Sequence, residues 1–463
     1  MGKPHSPDMA TESFLCDICE TLNRDDEKAK PVEFIGSDSF PSAFAVSDLA
    51  AASVAAASLS VADYMEAGTG TRPDVHVDRR LASLWFGNSI RPIGWQAPPL
   101  FDPVFGDYRG ADGWIKLHTN APHHRQAALD VIGAPAERPA MAEAIAGWKV
   151  SELEAAIVAK GGASAAMRDR AAWADHAQGK AVQGEPLVWQ SWTETTPRGS
   201  GDIDPARPLK GIRVLDLTRV LAGPVATRFL AGYGAEVLRI DPPWWEEPGA
   251  VTEVVLGKRC ARLDLRVEAD LIRLKELLAE ADVLVHGYRP GALEGLGLGA
   301  EARRKIAPNL IDVSLCAYGW TGPWSQRRGF DSLVQMSSGV AEAGMRHYGT
   351  DKPKPLPVQA LDHATGYLMA AAVLRGLAER RKSSRSLTAR TSLARTAALL
   401  VSAASGSDSG SLKEAEERDF SPVEELTAWG PALRLRPPAV VEGCPMVWDI
   451  PSCALGSSEA EWQ

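Results

Sequence analysis

From residue 209 onward, short apolar runs alternate with stretches of helical period. The runs KGIRVLDLT, VLRID, ARLDL, DVLVHGY and NLIDVSLCAYG predict strands, and AGPVATRFLAGYGAE and EADLIRLKELLAEA predict helices between them. This alternation is typical of an open, largely parallel α/β sheet, whose ligands bind beyond the C-terminal ends of the strands. We therefore predict an α/β fold over residues 209–405, with a doubly wound, Rossmann-like sheet.

The rest of the chain has a different character. A length of 463 residues predicts two or three domains. The stretch FGDYRGADGWIKLHT and the helical patterns after it predict a second, smaller α+β domain. The final stretch is irregular, with eleven acidic against four basic side chains. The predicted boundaries are 1–36 for a mobile tail, 37–104 for a partial repeat, 105–192 for the small α+β domain, 193–208 for a linker, 209–405 for the α/β domain and 406–463 for the acidic C-terminal segment.

Two segments of the chain resemble each other. Asp48 opens the Ala-rich helix pattern DLAAASVAAASLSVADYME, and Asp362 opens DHATGYLMAAAVLRGLAER. Each helix pattern leads through a turn into a strand–helix pattern, RPDVHVDRRLASLWF in the first case and TARTSLARTAALL in the second. We interpret this echo as a duplicated segment.

Charge and composition narrow the class of protein. Fifty basic against 59 acidic side chains give a net charge of −9, which argues against a general nucleic-acid binder. We find no apolar run of bilayer length and no secretory stretch, so we expect a cytoplasmic protein with no membrane partner. Cys16 and Cys19 have CxxC spacing, which leaves open a redox or zinc role or two ordinary thiols in a tail.

The first strand–helix turn, TRVLAGPVATRF, lacks the G-x-G-x-x-G pattern of dinucleotide-binding folds. The sequence also has no P-loop, no HExxH and no G-x-S-x-G. We therefore expect no nicotinamide, no metal and no tightly bound cofactor.

Six blocks, in order, resemble the class III CoA-transferase family (CaiB/BaiF type), which includes formyl-CoA and carnitine-CoA transferases and α-methylacyl-CoA racemases. The blocks are LKGIRVLDLTRVLAGPVATRFLAGYGAEVLRID, GKRCARLDL, ADVLVHGYRPGALEGLGLG, PNLIDVSLCAYGWTGPW, GFDSLVQMSSG and the helix headed by Asp362. The resemblance implies CoA and acyl-CoA as substrates, a carboxylic acid as acceptor and a homodimer. The small α+β domain here precedes the α/β half, so the chain resembles the back of one family unit fused to the front of a second.

The resemblance implies that Asp362 is the catalytic nucleophile. A carboxylate can attack a thioester carbonyl to give a mixed anhydride and free CoA thiolate, without metal or redox chemistry. On the residue alone, Asp362 could equally be only a helix N-cap.

Further residues are implied as CoA contacts through single matching positions. They are Leu221 and Ala222 in the VLAGP turn, Lys258 in GKRC, Gly287, Tyr288 and Arg289 before Pro-Gly, and Arg328 and Asp331 flanking Gly-Phe. The Lys and Arg residues could instead be solvated surface.

Two alternatives to CoA transfer stay open. One is a racemase or dehydratase-type enzyme of the same fold, although the racemase His is replaced by Phe330, and His363 is a poor substitute on the neighbouring position. The other is a non-catalytic CoA-thioester-binding protein, because Gly257, Gly287 and Gly295 stand where the family has polar side chains.

Overall fold

The computed structural model of the protein describes residues 8–23, 32–195, 201–403 and 408–463. The helices in these ranges are α1 (Asp8–Thr21), α2 (Val46–Thr69), α3 (Arg79–Trp85), α4 (Pro122–Ile132), α5 (Arg138–Ala146), α6 (Val150–Ala159), α7 (Arg170–Asp175), α8 (Ala177–Gln183), α9 (Ala222–Gly232), α10 (Val251–Val254), α11 (Glu268–Glu280), α12 (Ala300–Ile306), α13 (Asp331–Ser337), α14 (Val340–His347), α15 (Ala360–Lys382) and α16 (Leu393–Ser402). The strands are β1 (Glu33–Ile35), β2 (Pro41–Ser42), β3 (Val75–Asp78), β4 (Ile90–Pro92), β5 (Gly106–Arg109), β6 (Trp114–Leu117), β7 (Ser164–Ala166), β8 (Trp189–Glu194), β9 (Arg213–Leu217), β10 (Glu236–Asp241), β11 (Lys258–Arg262), β12 (Val283–His286), β13 (Ile311–Cys316), β14 (Arg385–Ser392), β15 (Asp408–Ser409), β16 (Phe420–Thr427), β17 (Gly430–Leu435) and β18 (Ala439–Val441).

The central sheet has seven strands in the order β11-β10-β9-β12-β13-β14-β8. Neighbouring strands run parallel, except that β8 pairs antiparallel with β14 at one edge. Val214 of β9 belongs to the core shared with α9 and α15, whereas Leu215 belongs to a second core with α11. Helices therefore cover both faces, which is why these strands are apolar on both sides. The predicted α/β fold with a largely parallel sheet is confirmed.

The order of the strands locates a crevice. The sheet starts at β9, extends through β10 to β11 on one side, and then through β12 and β13 to β14 on the other. Loops that leave the C-terminal ends of β9 and β12 therefore diverge in opposite directions. The crevice between such loops is where open α/β sheets bind ligands.

A smaller unit precedes the central sheet in the chain. It consists of the antiparallel sheet β5-β6-β7 and the helices α4, α5 and α6, which share a core that includes Tyr108, Ile115 and Leu153. Helix α13 of the α/β part packs against β6 and β7. The small unit thus lies beside the C-terminal ends of the central strands.

Helices α2 and α15 begin with the same local geometry. Their N-caps, Ala45 and Gln359, have φ and ψ of −74° and 63° and of −76° and 63°. In both cases the first helical N–H donates to the carbonyl two residues before it, at 2.8 Å. Asp48 and Asp362 are each the third residue of their helix, so neither is an N-cap. The two helices pack along each other, which places the duplicated segments at the centre of the molecule.

The strands that follow these two helices also have matching neighbours. β14 lies between β13, to which it is parallel, and β8, to which it is antiparallel. In a separate three-stranded sheet, β3 lies between the parallel β1 and the antiparallel β18. The sheet β1-β3-β18 therefore repeats the strand arrangement of β13-β14-β8 in the central sheet.

The prediction of a mobile tail over residues 1–36 is wrong for the described part of that range. Helix α1 packs on α2 because Phe14 and Ile18 lie on one face and are fully buried, and β1 joins a sheet. Residues 1–7 and 24–31 lie outside the described ranges. In α1, Cys16 is exposed and Cys19 is buried. Within the described residues no group of three or more His, Cys, Asp or Glu is arranged to hold a metal ion.

Two further expectations need correction. β8 includes residues 193 and 194, so the predicted linker begins inside a strand of the central sheet. The C-terminal segment is not irregular, because β16, β17 and β18 join sheets with β4 and β3. Its last part also lies on the α/β unit, where the indole of Trp448 donates to the Arg228 carbonyl at 2.8 Å and that of Trp462 to the Leu277 carbonyl at 3.0 Å.

Helix α2 is the exception to the expectation that no segment is long and apolar enough to cross a bilayer. It has 24 residues, and 94% of its most apolar window is buried inside the protein. It is a core helix, and its alanines allow α15 to pack closely against it.

Candidate active site

A cavity of about 420 Å³ occupies the crevice between β9 and β12. Its walls come from the loops after β9, β12 and β13, from the start of α15 and α16, and from the start of α4 in the small unit. Six of the predicted site residues share this cavity in addition to Asp362: Leu221, Ala222, Gly287, Tyr288, Arg289 and Arg328. Lys258 and Asp331 are not in its wall.

Asp362 is 7% exposed and faces the cavity from the first turn of α15. Burial raises the pKa of its carboxyl well above the ordinary aspartate range, and the nearby Asp331 carboxyl raises this pKa further. A desolvated carboxylate is a stronger nucleophile than a hydrated one, because little water has to leave before it attacks. The site therefore presents one poorly solvated carboxylate to whatever enters the cavity.

Asp331 lies behind Asp362 and supports it. Its Oδ2 accepts hydrogen bonds from the backbone N–H groups of Leu361, at 2.8 Å, and Asp362, at 3.0 Å. Its Oδ1 accepts from Gln335 Nε2 at 2.5 Å. Asp331 is 1% exposed and lies outside the cavity wall, so the structure does not bring this predicted CoA contact together with the others. It anchors the first turn of α15 and thereby fixes the position of the Asp362 side chain.

The turn after β9 is backbone-strained. Val220 has φ of +68°, a left-handed conformation that is rare for a β-branched residue. Glu247 stabilises it by accepting the Val220 N–H at 2.9 Å, and Glu247 is itself paired with the buried Arg239. This conformation brings Leu221 and Ala222 to the cavity wall.

Cationic and aromatic side chains form the other side of the cavity. Arg289 follows β12, and Arg328 donates to the Gly161 carbonyl of the small unit at 3.2 Å. Burial lowers the pKa of Arg328, and the positive charge of Arg289 lowers it further. Arg219 lies over the rings of Trp245 and Tyr288, at 5.1 and 5.3 Å. This arrangement suits an anionic ligand with a flat, stackable group.

Lys258 has a structural role in place of the predicted CoA contact. It is fully buried on β11, and its Nζ donates to Asp216 Oδ2 and to the Pro224 carbonyl, both at 3.0 Å. Burial lowers the pKa of this amine, and the Asp216 carboxylate opposes that effect. A buried lysine needs such a partner, and the pair joins β9, β11 and the start of α9.

The two residues that bear on the racemase alternative, Phe330 and His363, do not supply a base to the cavity. Phe330 lines the cavity and stacks on His118 at 3.6 Å, so the position holds no base. His363 is 1% exposed, and its ring stacks on that of Phe86 with 5.0 Å between the centroids. It does not line the cavity. Burial lowers the pKa of His363 to about 3, and Arg228 lowers it further.

Sequence reasoning did not identify several residues of the cavity wall. His123 and His124 come from α4 of the small unit, and Arg219 and Trp245 come from loops of the central sheet. The run HTNAPHHRQ holds three histidines within seven residues, which is the one signal in the sequence that could have pointed to this face of the small unit.

Part of the chain is similar to known proteins. The family model described as CoA-transferase family III matches residues 209–424. The probable fatty acyl-CoA transferase Rv3272 of Mycobacterium tuberculosis is 36% identical over 194 residues, which are 39% of this chain and 49% of that protein. Succinyl-CoA:glutarate CoA-transferase of Mus musculus is 36% identical over 224 residues, 45% of this chain and 49% of that protein. A crystal structure of a CAIB/BAIF family protein from Brucella suis has a TM-score of 0.37 and 25% identity, covering 48% of this chain and 65% of that one.

The chain thus spans about half the length of the curated relatives that it matches. The matched range includes the loops after β9 and β12 and every predicted site residue from Leu221 to Asp362. Residues 209–424 of the chain are thus similar to CoA-transferase family III.

Proposed function

We propose that the protein is an enzyme that transfers CoA from an acyl-CoA thioester to a free carboxylic acid, with Asp362 as the covalent nucleophile. The observation that carries this proposal is the buried carboxylate of Asp362, with its raised pKa, in the wall of a cavity rimmed by Arg289 and Arg328. The named activities of the relatives, such as that of succinyl-CoA:glutarate CoA-transferase, support the same reaction class.

The reaction begins when an Asp362 oxygen attacks the thioester carbonyl carbon. The C–S bond breaks, CoA leaves as thiolate, and the acyl group stays on Asp362 as a mixed anhydride. The thiolate then attacks the aspartyl carbonyl carbon, which releases the first acid as carboxylate and leaves an aspartyl-CoA thioester. An acceptor carboxylate repeats the two steps in reverse order, so that a new acyl-CoA forms and Asp362 is regenerated. No net proton or electron is transferred.

The protein as a whole carries a net charge of −9, which opposes the approach of CoA with its phosphate groups. Attraction must therefore come from the local cations. Arg219, Arg289 and Arg328 all line the same cavity, and the Arg219 guanidinium lies 5.1 Å from the Trp245 ring and 5.3 Å from the Tyr288 ring. We propose that these three residues hold the anionic part of CoA.

The decisive experiment is intact-protein mass spectrometry after incubation with a panel of acyl-CoAs. We expect an acyl or CoA adduct on the parent protein and none on Asp362→Asn, which should also lose exchange of label between thioester and free acid. Asp48→Asn is the matched control, because Asp48 has the same helix position outside the cavity. Exchange by Asp362→Asn at the parent rate would refute the assignment. A parent protein that binds CoA but forms no adduct would instead favour the non-catalytic binder.

A further inference from the structure

The small unit contributes one polar side chain to the cavity whose role is unexplained. His124 lies in the first turn of α4, is 4% exposed and lines the cavity with Asp362. Its ring lies 4.1 Å from the ring of His123 and edge-on to Phe330 at 5.7 Å, measured between ring centroids. Among the described residues, neither of its ring nitrogens has a hydrogen-bond partner.

An unpartnered polar group is costly inside a protein, because it gives up its bonds to water and receives none in return. Other buried histidines here differ from His124. His286 lies 3.6 Å from the Asp312 carboxylate, and His118 is stacked on Phe330 outside the cavity wall. His124 combines an unsatisfied ring with a place in the wall of an open cavity. A ligand in that cavity is the partner that would satisfy it.

The protonation state of His124 limits which chemical groups of a ligand it can bind. Burial lowers its pKa to about 3, and the neighbouring His123 and Arg328 lower it further. At neutral pH the ring is therefore uncharged, with one N–H donor and one acceptor nitrogen. A neutral imidazole is a weaker phosphate ligand than Arg289 or Arg328 in the same wall. It suits an uncharged oxygen that becomes negative during the reaction.

We propose that His124 donates a hydrogen bond to the carbonyl oxygen of the acyl group that Asp362 attacks. This inference rests on the proposed CoA transfer. When the Asp362 oxygen bonds to the carbonyl carbon, the π electrons move onto the carbonyl oxygen, and the donated hydrogen bond strengthens. The ring keeps its proton throughout, so His124 acts as a fixed donor and not as an acid. The small unit would thus supply a catalytic residue to a nucleophile on the α/β unit.

The test compares three variants by the rate of Asp362 acylation in a single turnover and by calorimetric titration with free CoA. His124→Phe keeps an aromatic ring against Phe330 but removes the donor, and it should slow acylation on the order of 100-fold or more, with the Kd for CoA unchanged. His124→Gln restores a donor and should recover much of the lost rate. His118→Phe is the matched control outside the cavity wall and should acylate at close to the parent rate.

Acylation by His124→Phe at the parent rate, with the parent protein active, would overturn the role of His124 alone. So would a loss of rate matched by an equal rise in Kd, or equal losses in the Phe and Gln variants with unchanged melting temperature. A parent protein that forms no adduct with any acyl-CoA would overturn the proposed function, and the role of His124 with it.

Discussion

Asp48 and Asp362 occupy the same position in two similar helices but have different neighbours. Thirty-one residues after each aspartate comes the first residue of the next helix, Arg79 in one case and Leu393 in the other. Arg79 donates to Asp48 Oδ1 at 2.8 Å, and Thr11 of α1 donates to the same oxygen at 2.6 Å. Leu393 instead lines the cavity of Asp362. One aspartate is therefore neutralised and covered, and the other is left open to a ligand.

This difference predicts separate effects of two substitutions. Asp48→Asn leaves the Arg79 guanidinium buried without its carboxylate, and we expect a loss of about 3–5 kcal/mol in the free energy of unfolding. Chemical denaturation measures this loss. CoA exchange per folded molecule should stay close to the parent value. In Asp48→Leu combined with Arg79→Leu, much of the stability should return, because both charges are removed together. Loss of exchange in a folded Asp48→Asn protein would contradict the assignment of Asp48 as structural.

The cations of the cavity and the buried Lys258 should respond differently to substitution. Arg289→Ala or Arg328→Ala removes a charged contact worth about 1.5–3 kcal/mol, so CoA binding should weaken roughly tenfold to a hundredfold. Lys258→Met instead leaves Asp216 buried and unpaired, which should lower stability and leave the Kd of the folded protein unchanged. Calorimetric titration and thermal melts separate the two outcomes. If both arginine variants bind CoA as tightly as the parent protein does, CoA binds at another place.

The pKa of Asp362 predicts the pH profile. The nucleophile must be ionised, and burial and Asp331 both raise its pKa, so kcat/KM should fall as pH drops through a value above the ordinary aspartate range. Asp331→Asn removes the like charge, so the pKa of Asp362 should fall and the acidic limb should move to lower pH. Measuring the acidic limb of the kcat/KM profile with the same acyl-CoA, for the parent protein and for Asp331→Asn, tests this prediction. A limb that stays in place or moves upward would show that the two carboxyls are not coupled.

At the scale of elements, the site depends on close contact between α9 and α15. A Cβ on Gly366 would lie 2.7 Å from Val225 Cβ and even closer to the Ala222 carbonyl oxygen. Gly366→Ala should therefore push the 220–222 turn away from Asp362, destabilise the protein by about 1–3 kcal/mol and lower kcat. Gly376→Ala, on the same helix, is the control, because the three atoms nearest to its Cβ would all belong to the Ile311 side chain, at 3.1–3.2 Å. Denaturation and exchange assays check both variants. Equal effects would exclude a special role for the Gly366 contact.

The sequence predicted those elements that local pattern defines. The strands β9, β10, β12 and β13 are visible in it as short, continuous apolar runs, and the helices α9, α11 and α15 as helical patterns. The run ARLDL, predicted as a strand, overlaps β11 only at Ala261 and Arg262. Elements fixed by distant partners were missed or misplaced. The edge strand β8 has partly exposed side chains and is a strand because β14 lies beside it.

The same limit applies to the site. Asp362 and the loops after β9 and β12 could be found from the sequence, because each lies in or beside a sequence block that resembles the family. The sequence could not show whether Lys258 is a structural residue or a ligand contact, because its burial depends on how Asp216 faces it across β10. His124 could not be found, because its place in the wall depends on how the small unit docks on α13.

At the scale of the whole molecule, both halves of the chain contribute residues to the cavity wall. The small unit comes from the N-terminal half, and the nucleophile from the C-terminal half. Buried Glu154 of the small unit pairs with Arg327 of the α/β unit at 2.8 Å, which holds the two together. The nucleophile and the small unit that faces it therefore come from the same chain.

Because the nucleophile and the small unit belong to one chain, we predict that activity per chain does not depend on concentration. Exchange assayed over a dilution series on the order of a thousandfold should give constant specific activity, whereas a site shared between subunits would lose activity as a dimer dissociates. Size-exclusion chromatography over the same range reports the oligomeric state. Activity that falls in step with dissociation would show that the partner copy completes the site.

The position of β8 in the chain has a consequence for biosynthesis. β8 leaves the ribosome early, but its hydrogen-bonding partner β14 follows about 190 residues later. At bacterial or eukaryotic elongation rates this gap lasts roughly 10–40 s. During that time the N-terminal half exposes an unpaired strand and the apolar face of α2 that α15 will cover. We therefore expect the first half of the nascent protein to be prone to aggregation until the second half has emerged.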